Sequence, residues 1–486
     1  MIAAKEVENG LSIWFLEVVE VFKARKESPF PMRRRKRDLA ARVNGQLRIE
    51  FKPEHLTSFG GLELVNRYLR LIGFNNLLRN AFAKTPIHGD FSVVAMARLF
   101  IGLLLVGARR LRHVRFVSQD PMMRRFSQLA ALPDERTLSR WLGRFDRDSL
   151  RSLDAVNRKV VFDDVRKLGL RTLTLDVDGT IVSTGLGVEW AQRGFNPHHR
   201  KVPSYYPAVV HLAETGQILG LKNRPGNVHD GVRSVGLVRQ VIGRCREELG
   251  RDVKLRFRMD GAFFLRQVIE ALDQEYVDFA VKVPMHRWLD LKPRIQMRMK
   301  WEHVTEGVSS FETVLPVPQW GRKLRVVCYR KRVFHETAKN YQLDLFSPND
   351  GTFEYSAVAT SLSVSAKDLW WFMAGRGAQE KTFAELKDGL AFATVPTRRY
   401  AANSAWQWFS VIAHNLHRGL QLSQTAALRG RTKKRTFLAR FETIRTARFE
   451  WLNVAGRLLR LETGRTLRLA SNPGVEARFK PWLHAA

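Results

Sequence analysis

Between Arg171 and Ser183 the sequence RTLTLDVDGTIVS alternates residue by residue. Leu173, Leu175 and Val177 fall on one side of an extended chain, and Thr174, Asp176 and Asp178 on the other. The apolar side specifies a strand packed on a core, ended by the turn at Gly179. The other side constrains the fold harder. Two carboxylates on one strand face are costly to bury unless something cationic meets them.

From this strand onward the pattern reads strand, strand, helix, strand, helix, strand. The second strand is the apolar run 205–212, and a helix follows over 231–249. LRFRMDGAFF is a strand with Asp260 at its carboxyl end and Gly261 after it; residues 262–275 are helical and DFAVKVP is the last strand. Ligand sites in α/β sheets gather at carboxyl strand ends, where Asp178 and Asp260 both fall.

Upstream, residues 62–71 and 91–108 carry apolar residues at helical spacing, with Thr57-Ser58 as a cap for the first helix. LPDERTLSRWLGRF opens a helix at Pro133-Asp134 and sets Arg136, Arg140 and Arg144 four apart, a cationic stripe suited to a DNA backbone or groove. Downstream, MRMKWEHV, SSFETVLPV, RKLRVVCYRKRV and FEYSAVATSL are β-like runs, read as an inserted β-rich subdomain. Residues 426–486 read as basic and helical, with Lys433, Lys434, Arg435, Arg440, Arg445 and Arg448.

Between the β-rich stretch and that basic tail lies WFMAGRGAQEKTFAELKDGL, residues 371–390, expected as one helix. At about 100° per residue, Glu380 projects about 40° from Arg376 and Lys387 about 20° from Glu380, so the three share a face. Glu385 projects about 140° from Glu380 and is the poorer candidate. A carboxylate between two cations suits a metal-bound phosphodiester: the carboxylate for the metal, Arg376 and Lys387 for neighbouring phosphates. Asp178, Asp260 and Glu380 converging on an open site would match a two-metal centre. Asp176 is the near rival of Asp178; the strand-end position favours Asp178.

Composition narrows the partner. A formal charge of +34 on 486 residues that are 45% hydrophobic describes a folded chain with an extended cationic surface, whose natural partner is nucleic acid. Two cysteines, Cys245 and Cys328, make no disulfide framework. Glu6, Glu8, Glu17 and Glu20 interrupt the apolar N-terminus, and Arg98 interrupts the longest apolar run, so neither a secretory segment nor a membrane span is expected. His198-His199 and His229-Asp230 lack ligand spacing. Trp190, Trp288, Trp301 and Trp320 are read as packing residues before base-stacking ones. No tyrosine follows Tyr400, which removes the nucleophile of a tyrosine recombinase.

Three local motifs match a known family. Asp178-Gly179-Thr180 matches D-(S/G/T)-T, and Arg258-Met259-Asp260-Gly261-Ala262-Phe263 matches R-x-D-(S/G)-x-F. Arg376, Glu380 and Lys387 match Y-x2-R-x3-E-x6-K except at its tyrosine, where Met373 stands. From about Leu56 to Leu422 the chain resembles bacterial insertion-sequence transposases of the DDE type, most nearly the family numbered thirteen-eighty in the IS-four-like group.

The resemblance implies an α/β fold: an RNase H-like core, a mixed sheet flanked by helices, with a β-rich insertion, preceded by a helical DNA-binding region and followed by basic helices. The implied divisions are 1–55 basic lead-in, 56–170 helical DNA-binding domain, 171–284 first part of the core, 285–365 insertion, 366–425 second part of the core and 426–486 basic helical region. It also implies catalytic Asp178, Asp260 and Glu380 holding two Mg²⁺ ions, with Mn²⁺ able to substitute. The implied partner is double-stranded DNA, both terminal inverted repeats and target, bound by a homodimer in the bacterial cytoplasm at the nucleoid, with cut-and-paste strand transfer as the outcome. The alternatives are a repurposed DNA-binding protein and an RNase H-like nuclease that cuts without joining.

Overall fold

The structure is a computed structural model and describes residues 49–50, 54–185, 187–194, 201–228, 234–332, 353–424, 438–461 and 464–483. The basic cluster Arg33, Arg34, Arg35, Lys36 and Arg37 that ends the lead-in, His198-His199, His229-Asp230, and Lys433, Lys434 and Arg435 lie outside them. The description below concerns the unit Glu54–Ala486.

A two-residue strand β1 (Leu56–Thr57) precedes helices α1 (Leu62–Leu71), α2 (Phe74–Ala81), α3 (Val93–Val106), α4 (Pro121–Ser127), α5 (Glu135–Leu142) and α6 (Arg147–Lys167). Side-chain oxygens set several starts: Ser92 accepts from the Ala95 amide, Asp134 from Thr137, and Asp146 forms a reciprocal capping box with Ser149. Thr57-Ser58 is not a cap. Gly61 holds that position for α1, while the Thr57 hydroxyl donates to Asp120 at 2.9 Å.

The sheet follows with β2 (Thr172–Gly179), a small pair β3 (Val182–Ser183) and β4 (Ser204–Tyr205), then β5 (Ala208–Leu212) and β6 (Gln217–Lys222). Helix α7 (Ser234–Leu249) leads to β7 (Lys254–Met259), and α8 (Arg266–Gln274) to β8 (Asp278–Lys282). β6 is a strand the apolar pattern did not reveal, because QILGLK is short and broken by Gly220. In order of appearance the five core strands lie 3-2-1-4-5 across the sheet, the first three antiparallel and β2, β7 and β8 parallel. That is the RNase H-like arrangement, and the chain is a mixed α/β fold.

Beyond it come α9 (Leu291–Gln296), β9 (Glu302–Thr305), β10 (Val308–Val317), β11 (Arg322–Arg332) and β12 (Phe353–Thr360). These strands do not fold apart as a subdomain. β12 pairs antiparallel with β8, so one nine-stranded sheet runs β6-β5-β2-β7-β8-β12-β11-β10-β9. The reason lies in β8, whose outer edge would otherwise present unpaired amides and carbonyls.

The expected helix over 371–390 is three pieces: α10 (Ala366–Ala374), α11 (Gly377–Ala384) and a π-helical turn Glu385–Gly389. Next comes α12 (Tyr400–Ser423), buried along nearly its whole length, where Phe409 stacks on Phe100 of α3 at 5.1 Å. Its Asn415 closes the free edge of β6: the Ile218 amide donates to the Asn415 amide oxygen at 2.8 Å, and the Asn415 amide nitrogen donates to the Ile218 carbonyl at 2.7 Å. The last elements are α13 (Ile444–Ala447), the hairpin β13 (Gly456–Leu461) and β14 (Gly464–Leu469), and α14 (Pro473–Phe479). Residues 426–486 are therefore not wholly helical. β13 pairs with β1 some 400 residues away, a partner that local pattern cannot announce. Among the described residues no helix is long and apolar enough to cross a membrane.

Candidate active site

β2 and β7 run parallel with Asp176 opposite Arg258 and Val177 opposite Met259. The next step places Asp178 and Asp260 side by side at the carboxyl ends of adjacent strands, where neighbouring chains lie about 4.8 Å apart. Leu173, Leu175, Val177, Leu255, Phe257 and Met259 turn to the apolar core with α7 and α8. The opposite face of both strands carries the charges. Asp178 accepts from the Gly179 amide at 2.8 Å, and Asp260 from Ala262 at 3.0 Å.

One layer below, the carboxylates are sealed. Arg258 reaches Asp176 with two nitrogens, at 2.6 and 2.9 Å, and His211 Nδ1 lies 3.1 Å from the same group; all three side chains are fully buried. Burial alone would push the Asp176 carboxyl up, but the Arg258 guanidinium and the His211 hydrogen bond outweigh it and hold the group below its usual range. Both Asp176 oxygens are thus engaged. A third Arg258 nitrogen donates to the Phe372 carbonyl in α10 at 2.7 Å. Gly375 permits this approach: a Cβ there would stand 2.3 Å from the guanidinium. On α11, Gln379 donates to the Asp176 carbonyl at 3.2 Å, and the Thr382 hydroxyl meets His211 Nε2 at 3.3 Å. These bonds pin the helix pair to the charged face of the sheet.

Arg376, at the joint between α10 and α11, bonds Asp178 at 2.8 Å, with the two side chains 15% and 18% exposed. Burial would lower the guanidinium pKa, but Asp178 and Asp260 together raise it. Glu380 sits one turn further, exposed and without a hydrogen-bond or ion-pair partner among the described residues. Glu385 is structural: it pairs with Arg418 and accepts from the Ile444 amide at 2.8 Å.

Residues 40–485 match the family described as Transposase DDE domain group 1. The chain belongs to this DDE transposase family. Among curated proteins no sequence matches. A piggyBac transposase synaptic complex with hairpin DNA, solved by cryo-electron microscopy, aligns at a TM-score of 0.40 and 10% identity over 77% of each chain.

Against the expectation of three converging carboxylates, this transposase shows two adjacent aspartates and a separate glutamate. No cluster of three His, Cys, Asp or Glu side chains close enough to hold a metal occurs among the described residues. Arg376 bonds Asp178 at this rim, with Asp260 adding to the favourable field around its guanidinium, and Glu380 faces solvent. The donor chemistry still fits a divalent cation, since the guanidinium marks the place where these carboxylates draw positive charge. Asp178 and Asp260 are the two carboxylates placed side by side to meet it.

Lys387 also departs from expectation. It lies in the π-helical turn Glu385–Gly389 and not in the single helix expected over 371–390. It is half-buried, and burial lowers its pKa, with Asp388 opposing. Arg136 and Arg140 are exposed on α5, but Arg144 lies in the turn beyond the helix, where it donates to the His88 carbonyl. Met373 is partly buried against the cluster of Tyr329, Val358 and Leu369. The roles of Arg258, His211, Gln379 and Gly375 were missed in sequence. Arg258 carried a signal, standing two residues before Asp260 and so on the same strand face.

Proposed function

We propose that this transposase binds the ends of its own insertion sequence, cleaves DNA at Asp178, Asp260 and Glu380 with Mg²⁺ or Mn²⁺, and transfers the 3′ ends into target DNA. The observation that carries the reading is the placement of Asp178 and Asp260 at one step of adjacent parallel strands, with α10 held to the sheet by Arg258 and the helix of Glu380, α11, by Gln379. Two such ions would activate the attacking water or 3′-hydroxyl and steady the leaving oxygen. Arg376 is within reach of the same carboxylates and would serve the scissile region's charge; Lys387, Arg136, Arg140 and Arg144 would contact phosphates. A homodimer would bring two ends together. The motifs favour the thirteen-eighty family, and the site of action is the nucleoid.

The test uses duplexes bearing the inverted repeats that flank the gene. With Mg²⁺, the wild type is expected to nick at the repeat boundary and to join the 3′ end to a second duplex. Asp178→Asn and Asp260→Asn are expected to abolish nicking while retaining gel-shift affinity. Nicking that persists in both variants overturns the assignment; nicking without joined product identifies a nuclease.

A further inference from the structure

The segment Arg109–Phe116 is used by nothing described so far. Its 3-10 turn, Leu111–Phe116, buries Leu111 and Val114 in the main core and turns Arg112, Arg115 and Phe116 outward, with Phe116 79% exposed. The turn is held from both sides. Arg109 donates to the Asp388 carbonyl at 2.7 Å, in the π-helical turn of Lys387. Arg115 pairs with Glu135 at 3.1 Å, in the first turn of α5 beside Arg136 and Arg140. Inside the turn, the His113 ring accepts from the Arg109 amide at 3.1 Å, and Arg115 donates to the Arg112 carbonyl at 3.1 Å.

Arg110 and Arg112 are exposed and have no carboxylate partner among the described residues. Their charge is felt locally: burial, then Arg112, Arg110 and Arg115, hold the His113 pKa below its usual value. A large apolar ring turned outward beside two arginines that lack a carboxylate partner, Arg110 and Arg112, suits neither a core nor an ordinary solvated surface. It suits an anionic partner with an apolar interior that opens edgewise, and stacked bases behind a phosphate backbone are that partner.

We propose that Phe116 is a wedge that enters a base step of duplex DNA, with Arg110 and Arg112 on the flanking phosphates. The inference rests on the DNA-binding reading above and adds where and how the duplex is deformed. The cationic track it completes runs from the turn of Lys387, through Arg109–Phe116, to Arg136 and Arg140. The anchors at Asp388 and Glu135 keep the ring projecting without the duplex, so little ordering is lost on binding.

The test uses the full chain and a fluorescein-labelled duplex of about 25 base pairs, intact or with two adjacent central mismatches that remove the cost of unstacking. Wild type is expected to bind the mismatched duplex about tenfold more tightly. Phe116→Ala is expected to erase that preference while keeping affinity for the intact duplex within about twofold, and Phe116→Trp to retain it. Arg110→Ala with Arg112→Ala is expected to weaken both duplexes equally and lower the salt slope by about two. Circular dichroism checks that each variant folds. A preference that survives Phe116→Ala, or is missing from the wild type while both duplexes bind, overturns the wedge and leaves the DNA reading standing. Failure to bind either duplex, or the flanking repeats, overturns both.

Discussion

Two arginine–aspartate pairs stand one step apart on the same strand. Asp176 with Arg258 is fully buried, doubly bonded and roofed by His211, Phe372 and Gln379. Asp178 with Arg376 makes one bond at the rim, where both side chains keep some contact with solvent. The same chemistry thus serves two ends. The lower pair has no room to exchange partners, and its bonds join β2, β7 and α10 into one piece. The upper pair can exchange a guanidinium for another cation because water reaches it and Asp260 lies beside it. Rigidity beneath and lability above is what a site needs if it is to hold metal and DNA without losing its geometry.

The largest effect should come from opening the lower pair. Arg258→Ala leaves the Asp176 carboxylate buried without its cation, and is expected to cost about 3–5 kcal/mol with a correspondingly large fall in Tm. A Tm within a degree or two of wild type would break the comparison at its base.

A somewhat smaller effect is expected from Glu214, whose carboxylate accepts from the Thr174 amide near the start of β2 and whose pKa burial raises to about 7. Because the folded value lies above the unfolded one, stability from this group is full below about pH 4 and is lost as pH rises through 7. Glu214→Gln should therefore flatten the decline in Tm between pH 5 and 8, a difference on the order of 3 kcal/mol at most. An unchanged slope would show that the lower layer is less closed than its geometry implies.

The smallest effect on stability belongs to the upper pair. Arg376→Ala is expected to cost about 1 kcal/mol or less, yet to slow single-turnover cleavage about ten- to a hundredfold. If instead it destabilises as much as Arg258→Ala and leaves the rate of the folded fraction intact, both pairs are structural and the contrast disappears.

Much of this site was legible before the structure. The alternation at 172–179 announced a strand with one charged face, and the need for a cation on that face was a matter of solvation alone. Asp260 at the end of a second strand followed from the same periodicity. Which aspartate would be sealed was not legible, because Asp176 and Asp178 differ only in what lies across the strand, and Arg258 is 82 residues away. The close approach of that same arginine to Gly375 was hidden too. Arg144 left its helix for the His88 carbonyl, a contact 56 residues distant.

By itself the sequence determined the local periods, the charged strand face, the carboxylates at strand ends and the cationic surface, since each depends on neighbours within a turn or a strand. The tertiary structure decided the register of β2 on β7, the joining of the β-rich strands to the core sheet, the hairpin that replaces a C-terminal helix and the rim position of Arg376. Those outcomes depend on pairings between distant residues, where edge hydrogen bonds and buried charges must be answered by whatever the folded chain brings alongside.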